Sequence, residues 1–162
     1  MADQYIDACR QELEKLVSRE PDLDAALLCS VDGLPVAFAC ENELETDSMS
    51  AMCSSMLSLG DALSIQGGDE SCIQVVTQSR GCTFALIHAG DDMLLALMGN
   101  RSLKLGMLLG HARKEVEIIV ELMSKSNAHD KKGKAASLFK NKEPALLEEL
   151  VNRVVREAQD KQ

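Results

Sequence analysis

The chain has 162 residues, of which 46% are hydrophobic and 27% charged. This is the composition of an ordinary globular domain with room for a sizeable core. No apolar run approaches the roughly 18 residues that a membrane-spanning helix needs, so we expect no membrane insertion. The net charge of −9 and an aromatic content of 2% argue against nucleic-acid binding, because that function needs clustered basic side chains and aromatic stacking surfaces.

The distribution of charge and the spacing of the cysteines indicate the compartment and the absence of a metal site. Residues 1–125 hold 9 Lys+Arg and 20 Asp+Glu, whereas residues 126–162 hold 8 and 6, so an acidic body precedes a mildly basic tail. The six cysteines lie at least ten residues apart, unlike the close pairs of zinc and redox sites. The first residues lack the basic and apolar regions of a signal peptide. We therefore expect a cytoplasmic protein without a metal or other cofactor.

The first part of the chain predicts a helix followed by a β-hairpin. Apolar residues recur every three or four positions over residues 3–19, as in an amphipathic helix, and Pro21 ends the pattern. Two apolar runs, residues 25–30 and 34–39, flank an Asp32-Gly33 pair. Such a pair favours the positive backbone angles of a tight turn, so the two runs are predicted to be paired strands.

A second helix is predicted from about residue 46 to residue 65, closed by Gly67-Gly68. Its apolar side chains recur at helical spacing: Met49, Met52, Cys53, Met56, Leu59 and Leu63. Beside them runs a band of small residues: Ala51, Ser54, Ser55, Ser58 and Ala62. Together the apolar and small residues occupy more of the helix circumference than packing against one neighbouring element would bury. Core packing and an adaptable, methionine-rich interface explain it equally well.

The rest of the chain predicts three strands, a long helix and a tail. The strands fall at residues 71–77, 82–88 and 93–98, and their short, turn-rich connections favour an antiparallel meander. The helix extends from about residue 99 to residue 124. Residues 125–142 are predicted to be a polar, basic linker, and residues 143–162 an amphipathic helix that begins near Pro144. The sequence thus predicts an α+β domain over residues 1–124, with a five-stranded antiparallel sheet.

No credible catalytic set is present in the sequence. Residues 67–71 (Gly-Gly-Asp-Glu-Ser) differ by one letter from the signature of diguanylate cyclases, but the element order differs, and a helix stop explains them. Cys82 and His88 share a predicted strand, yet about 20 Å of strand would separate them, beyond the hydrogen-bond reach of a catalytic pair. The sequence therefore predicts a protein that is not an enzyme. A hydrolase or nucleotide-binding enzyme using Cys82, His88 or Asp69 and Glu70 is the least favoured alternative.

The second helix and the strand after it predict a surface for a partner. The helix has more buryable surface than one neighbour covers, and both faces of the strand carry apolar residues. If this strand lies at a sheet edge, its free backbone groups need pairing. A two-fold dimer that pairs the strand with its copy meets both needs. The predicted interface residues are Met52, Ser55, Met56, Leu59, Ile73, Val75 and Thr77.

Three segments resemble Roadblock (dynein light chain) domains: the hairpin at residues 26–37, Met-Leu-Ser-Leu-Gly at 56–60, and Gly-Asp-Asp-Met-Leu-Leu-Ala-Leu at 90–97. The likeness extends over about residues 4–124 in the family's element order. It implies a profilin-like sheet between helices and a homodimer joined through the second helix and third strand. Bacterial members of the MglB type, to which the chain is similar, bind and activate a small Ras-like GTPase by remodelling the GTPase's own site. The resemblance thus implies a non-catalytic, homodimeric regulator or platform for such a GTPase.

Two alternatives stay open at the level of sequence. The chain is either a GTPase regulator or a Roadblock-type scaffold or adaptor in a cytosolic signalling or motility complex, with no GTPase partner. The tail helix either docks on its own domain or dimer, or enters a groove on a partner protein. Its predicted contact residues are Leu147, Leu150, Val151 and Val154.

Overall fold

A computed structural model describes the backbone of residues 2–140 and the side chains of residues 4–125. The predicted C-terminal helix at residues 143–162, with Leu147, Leu150, Val151 and Val154, lies outside the described residues. The chain divides into two compact units, Met1–Ser124 and Lys125–Gln162. None of the helices in the described part of the chain is long and apolar enough to cross a bilayer.

Helices and strands follow one another in the predicted order, α-β-β-α-β-β-β-α. Their bounds are α1 Ala2–Arg19, β1 Leu23–Ser30, β2 Pro35–Cys40, α2 Thr46–Gln66, β3 Gln74–Gln78, β4 Cys82–His88, β5 Met93–Asn100 and α3 Leu105–Lys140. The five strands form one antiparallel sheet in the spatial order β2-β1-β5-β4-β3. The predicted fold class is confirmed, and β2 and β3 are the two edges of this sheet.

Helices cover both faces of the sheet, as the Roadblock resemblance implies. Successive side chains of a strand point to opposite faces, so Ala26 and Leu28 of β1 pack with α1 and α3, whereas Leu27 and Cys29 pack with α2. The central strand β5 is buried over residues 93–97 because both layers cover it. The core therefore consists of two apolar layers separated by the sheet.

The β1–β2 turn fixes where α2 crosses the sheet. Gly33 has a φ of +86°, and the Gly33 N–H donates to the Ser30 carbonyl at 2.9 Å. A Cβ at this position would lie 3.2 Å from the Ala51 Cα of α2. Glycine is thus needed for both the turn and the close approach, as the Asp32-Gly33 pair predicts for the turn.

The structure differs from the predicted boundaries at α3 and β3. The helix α3 begins at Leu105 rather than near residue 99, because β5 continues to Asn100. It continues to Lys140 rather than ending near residue 124, and so includes most of the predicted linker. Residues 125–140 contain five lysines and three alanines, which favour a helix, and no proline; Gly133 is the residue least favourable to it. The strand β3 begins at Gln74 rather than residue 71, because the Cys72 N–H donates to the Asp61 Oδ1 of α2 at 2.7 Å instead of pairing with β4.

Candidate interaction surface

One line of side chains attaches α2 to the sheet. Ser50, Cys53 and Leu57 are buried, at the spacing of a single helical face. Further along, a Cβ added to Gly60 would lie 2.9 Å from the Cys72 Sγ and 3.1 Å from the Val75 Cγ2. The helix therefore meets the start of β3 in close contact, and the two elements form one continuous surface.

The opposite face of α2 is apolar and exposed in the single chain. Met52, Leu59 and Leu63 are 50%, 64% and 65% exposed, and their spacing of seven and four residues places them on the same side of the helix. The apolar stripe that the sequence predicts is therefore divided between two faces. Monomeric soluble proteins rarely expose a contiguous apolar patch of this kind unless it serves an interaction.

The hydroxyl groups of two exposed serines of α2 are hydrogen-bonded within the helix. The Ser55 Oγ donates to the Ala51 carbonyl at 2.9 Å, and the Ser58 Oγ donates to the Ser54 carbonyl at 3.0 Å. Each hydroxyl proton is thus satisfied inside its own helix, and covering the face leaves no donor unpaired. Small side chains at these positions also allow a second helix to approach closely.

The edge strand β3 continues this surface. Val75 and Val76 contact opposite core layers, whereas Thr77 is exposed. Ile73 is 78% exposed and directly precedes the strand. We define the "α2/β3 surface" as the exposed α2 residues Met52, Ser55, Leu59 and Leu63 together with Ile73 and Thr77.

The predicted interface residues thus fall into two groups. Met52, Ser55, Leu59, Ile73 and Thr77 are exposed on neighbouring elements. Met56 and Val75 are partly buried and pack against the core layer below α2, where they support this surface instead of forming it. Their role in an interface stays a prediction.

The residues of the enzyme alternative do not form a site in the structure. Cys82 and His88 lie at the two ends of β4. Gly67 caps α2, and the Gly68 and Asp69 N–H groups donate to the Ile65 and Ser64 carbonyls, as a helix stop requires. Among the described residues, no group of three His, Cys, Asp or Glu side chains is placed to hold a metal ion.

Buried thiols and one buried carboxyl occupy the two core layers. The hydrogen bond with Cys29 and burial both raise the pKa of the Cys53 thiol, so it stays protonated at neutral pH. Burial, and then the nearby Glu12 charge, raise the pKa of Glu115, which lies on α3 in the other layer. Neither Cys53 nor Glu115 is part of the α2/β3 surface.

The family assignment follows from a sequence comparison. The family model for the Roadblock/LC7 domain matches residues 10–98, more than half of the chain. The chain belongs to the Roadblock/LC7 family. At the level of the family, these proteins are regulatory or scaffolding adaptors without catalysis of their own. Comparison with curated protein sequences finds no significant match.

Solved structures show the same Roadblock fold. A structure described as MglB with a tetrameric arrangement has a TM-score of 0.69 and 18% identity, covering 75% of this chain and 91% of that chain. A Roadblock/LC7 domain from Streptomyces avermitilis has a TM-score of 0.65 and 26% identity, covering 71% and 97%. Profilin II from Acanthamoeba castellanii has a TM-score of 0.53 and 12% identity, covering 69% and 96%, in agreement with the predicted profilin-like sheet.

Two exposed apolar residues lie outside the predicted interface. The sequence places Leu63 in the α2 stripe but not in the interface, although it follows Leu59 by one helical turn. Phe38 is 45% exposed on β2, and the sequence predicts only that it belongs to the hairpin. A helical period can identify Leu63, but no local pattern shows that Phe38 lacks a covering layer.

Proposed function

We propose that the chain is a non-catalytic, homodimeric regulator or platform for a small Ras-like GTPase in the cytoplasm. The observation that carries this proposal is the α2/β3 surface, which is apolar, exposed and continuous with a free strand edge. Membership of the Roadblock/LC7 family and the fold shared with MglB support it. In this proposal α2 and β3 make the dimer, and the dimer presents a surface to the GTPase.

The energetics of the dimer require both α2 and β3. Leu59, Leu63 and Ile73 are 64%, 65% and 78% exposed, so burying each contributes about 1–2 kcal/mol. Two-fold symmetry doubles the set, which gives about 6–12 kcal/mol against an association cost of about 4–15 kcal/mol. Apolar burial alone barely balances that cost. Backbone pairing of β3 with its copy, at about 1 kcal/mol for each hydrogen bond, supplies the rest.

A charge placed on the α2/β3 surface tests the dimer. Leu59→Asp leaves the single chain folded because the side chain is exposed, but it buries an unpaired carboxylate in the proposed interface. We expect the dimer dissociation constant to rise at least about 100-fold, measured by sedimentation equilibrium. Met107→Asp is the matched control, since Met107 is 51% exposed on α3, on the other side of the sheet. Equal masses for Leu59→Asp and the wild type would contradict this interface.

The GTPase role needs a separate measurement. Purified full-length protein is mixed with small Ras-like GTPases from the same genome, each loaded with GDP or with a non-hydrolysable GTP analogue. Binding that depends on the nucleotide, or faster phosphate release from GTP, supports the proposal. A dimer that binds none of the loaded GTPases contradicts it and leaves the scaffold or adaptor role.

A further inference from the structure

A second apolar area lies on the same face of the sheet, next to the beginning of α2. It is a shallow apolar depression. We call it the "Phe38 groove". The side chains that form most of its lining are Leu27, Phe38, Leu44, Met49, Phe84 and Met98. Phe38 is 45% exposed there, whereas Leu27 is buried in the floor.

The path of α2 explains why this area is uncovered. The helix contacts the β1–β2 turn at Gly33 and then the start of β3 at Gly60, so it covers one end of the sheet. The strand register places a row of side chains across four strands beyond the helix. The members of the row are Cys40, Ala25, Met98 and Phe84. Only Ala25 in this row is fully buried, so the end of the sheet face stays open.

Acidic residues line the β2 side of the groove. Glu41, Glu43 and Glu45 lie in the segment between β2 and α2, and Asp47 lies in the first turn of the helix; all four are exposed. Together with Phe38 and Leu44, the three glutamates also line the open space outside the groove. An apolar floor thus has an acidic rim on its β2 side.

The groove adjoins the proposed dimer contact at one end and extends away from it at the other. Phe84 of its lining pairs with Thr77 of the α2/β3 surface, whereas Phe38 lies on β2, the opposite edge of the sheet from β3. Four inter-strand spacings of about 4.8 Å put roughly 19 Å between these edges. A dimer formed through β3 therefore leaves the Phe38 end of the groove uncovered on each protomer.

We propose that the Phe38 groove binds a basic, amphipathic segment of a partner protein. Apolar side chains of that segment pack on Phe38 and Met98, and its lysines or arginines face the glutamate rim. A second copy of this surface is disfavoured because it would place like charges together. The same rim repels phosphate groups, which excludes nucleic acid and anionic lipid as occupants.

Binding of a synthetic peptide to the full-length protein tests this proposal. The probe is a fluorescent peptide of about 14 residues, with leucines at one helical face and lysines elsewhere. A control peptide has glutamates in place of the lysines. We expect the basic peptide to bind and the acidic peptide to bind at least about 10-fold more weakly, with an affinity that falls as salt is raised. Equal binding of both peptides would overturn the proposal.

Matched variants locate the peptide. Phe38→Ala should weaken binding about 10-fold, whereas Met107→Ala, on α3, should leave it unchanged. The double variant Glu41→Lys/Glu43→Lys should weaken binding by a similar factor. Asp69→Lys/Glu70→Lys makes the same change in net charge at exposed positions after α2, and should have less than about a two-fold effect. Equal loss of peptide affinity in the two double variants would mean that the peptide responds only to net charge. Unchanged affinity in Phe38→Ala would mean that the peptide binds elsewhere. Either result overturns the assignment.

Discussion

Glu115 offers a sharp test of the core packing, because it is a buried carboxyl on α3. It is 2% exposed, and its Oε1 has no hydrogen-bond partner. Ala112 and Ile119, one helical turn away on either side, are buried in the layer that also contains Cys9 of α1. Burial, followed by the nearby Glu12 charge, raises the pKa of Glu115 above its ordinary value.

Removing this charge should stabilise the protein at neutral pH. A buried polar atom without a partner costs about 1–3 kcal/mol, and a charged one costs more. Glu115→Gln keeps the shape and removes the charge, so we expect a gain of about 1 kcal/mol at pH 7. Glu115→Met also removes the polar atoms, and should gain about 1–3 kcal/mol.

The pH dependence of this gain has a definite sign. Below the unfolded pKa of about 4.3, the carboxyl is protonated in both states and carries no charge penalty. As the pH rises towards the higher folded pKa of Glu115, the unfolded chain releases its proton more readily, and the wild type loses stability. Glu115→Gln lacks this loss. Its advantage should therefore be near zero at about pH 4 and grow as the pH rises to 7.

Urea unfolding followed by circular dichroism measures this difference, since the chain has no tryptophan. The protein concentration is kept constant, so that any dimer contributes equally. Glu117→Gln is the control, because Glu117 is exposed on the same helix and should change stability by less than about 0.5 kcal/mol. A loss of stability in Glu115→Gln at pH 7, or a gain of equal size at both pH values, would refute the reasoning.

Two further predictions concern packing. Gly60→Ala should destabilise the fold by about 1–3 kcal/mol, because the new Cβ would lie 2.9 Å from the Cys72 Sγ. A Cβ at Gly110 would meet open space, so Gly110→Ala should stabilise α3 by up to about 1 kcal/mol. If urea unfolding showed the same change in stability for Gly60→Ala and Gly110→Ala, this packing would be contradicted. Of the six free cysteines, the buried three should react with an aromatic disulfide reagent much more slowly than the other three. The protected residues are Cys9, Cys29 and Cys53, and a single fast phase for all six thiols in the folded protein would be inconsistent with their burial.

The sequence predicts the order of elements well because each one carries a local signal. A few neighbouring residues suffice to predict the Asp32-Gly33 turn and the amphipathic helix α1, and the structure confirms both. The boundary of β3 depends on a contact between Asp61 and Cys72, eleven residues apart, which no local pattern contains. The end of α3 differs from the prediction because a polar, lysine-rich sequence is compatible with both a linker and a helix.

The buried face of α3 contains one residue that its type argues against. Leu108, Ala112, Glu115 and Ile119 form the buried line, and Leu109 and Val116 pack against the same core layer. A glutamate at position 115 is typical of an exposed position, so the sequence does not predict its burial. The Phe38 groove is harder still to predict, since its residues come from four strands and a loop, and only the fold brings them together.

The distribution of charge along α2 suggests why two surfaces on one face of the sheet would take different partners. The helix has only two charged residues, Asp47 in its first turn and Asp61 beyond its middle. Asp61 accepts a hydrogen bond from the Cys72 N–H at 2.7 Å, so its carboxylate faces the protein. The exposed apolar face between them can meet a copy of itself without placing like charges together. The Phe38 groove has the opposite property, because the acidic rim at Glu41 and Glu43 would repel a copy and attract a basic segment. Self-association through the α2/β3 surface and recognition of a basic partner at the groove are therefore compatible in one dimer.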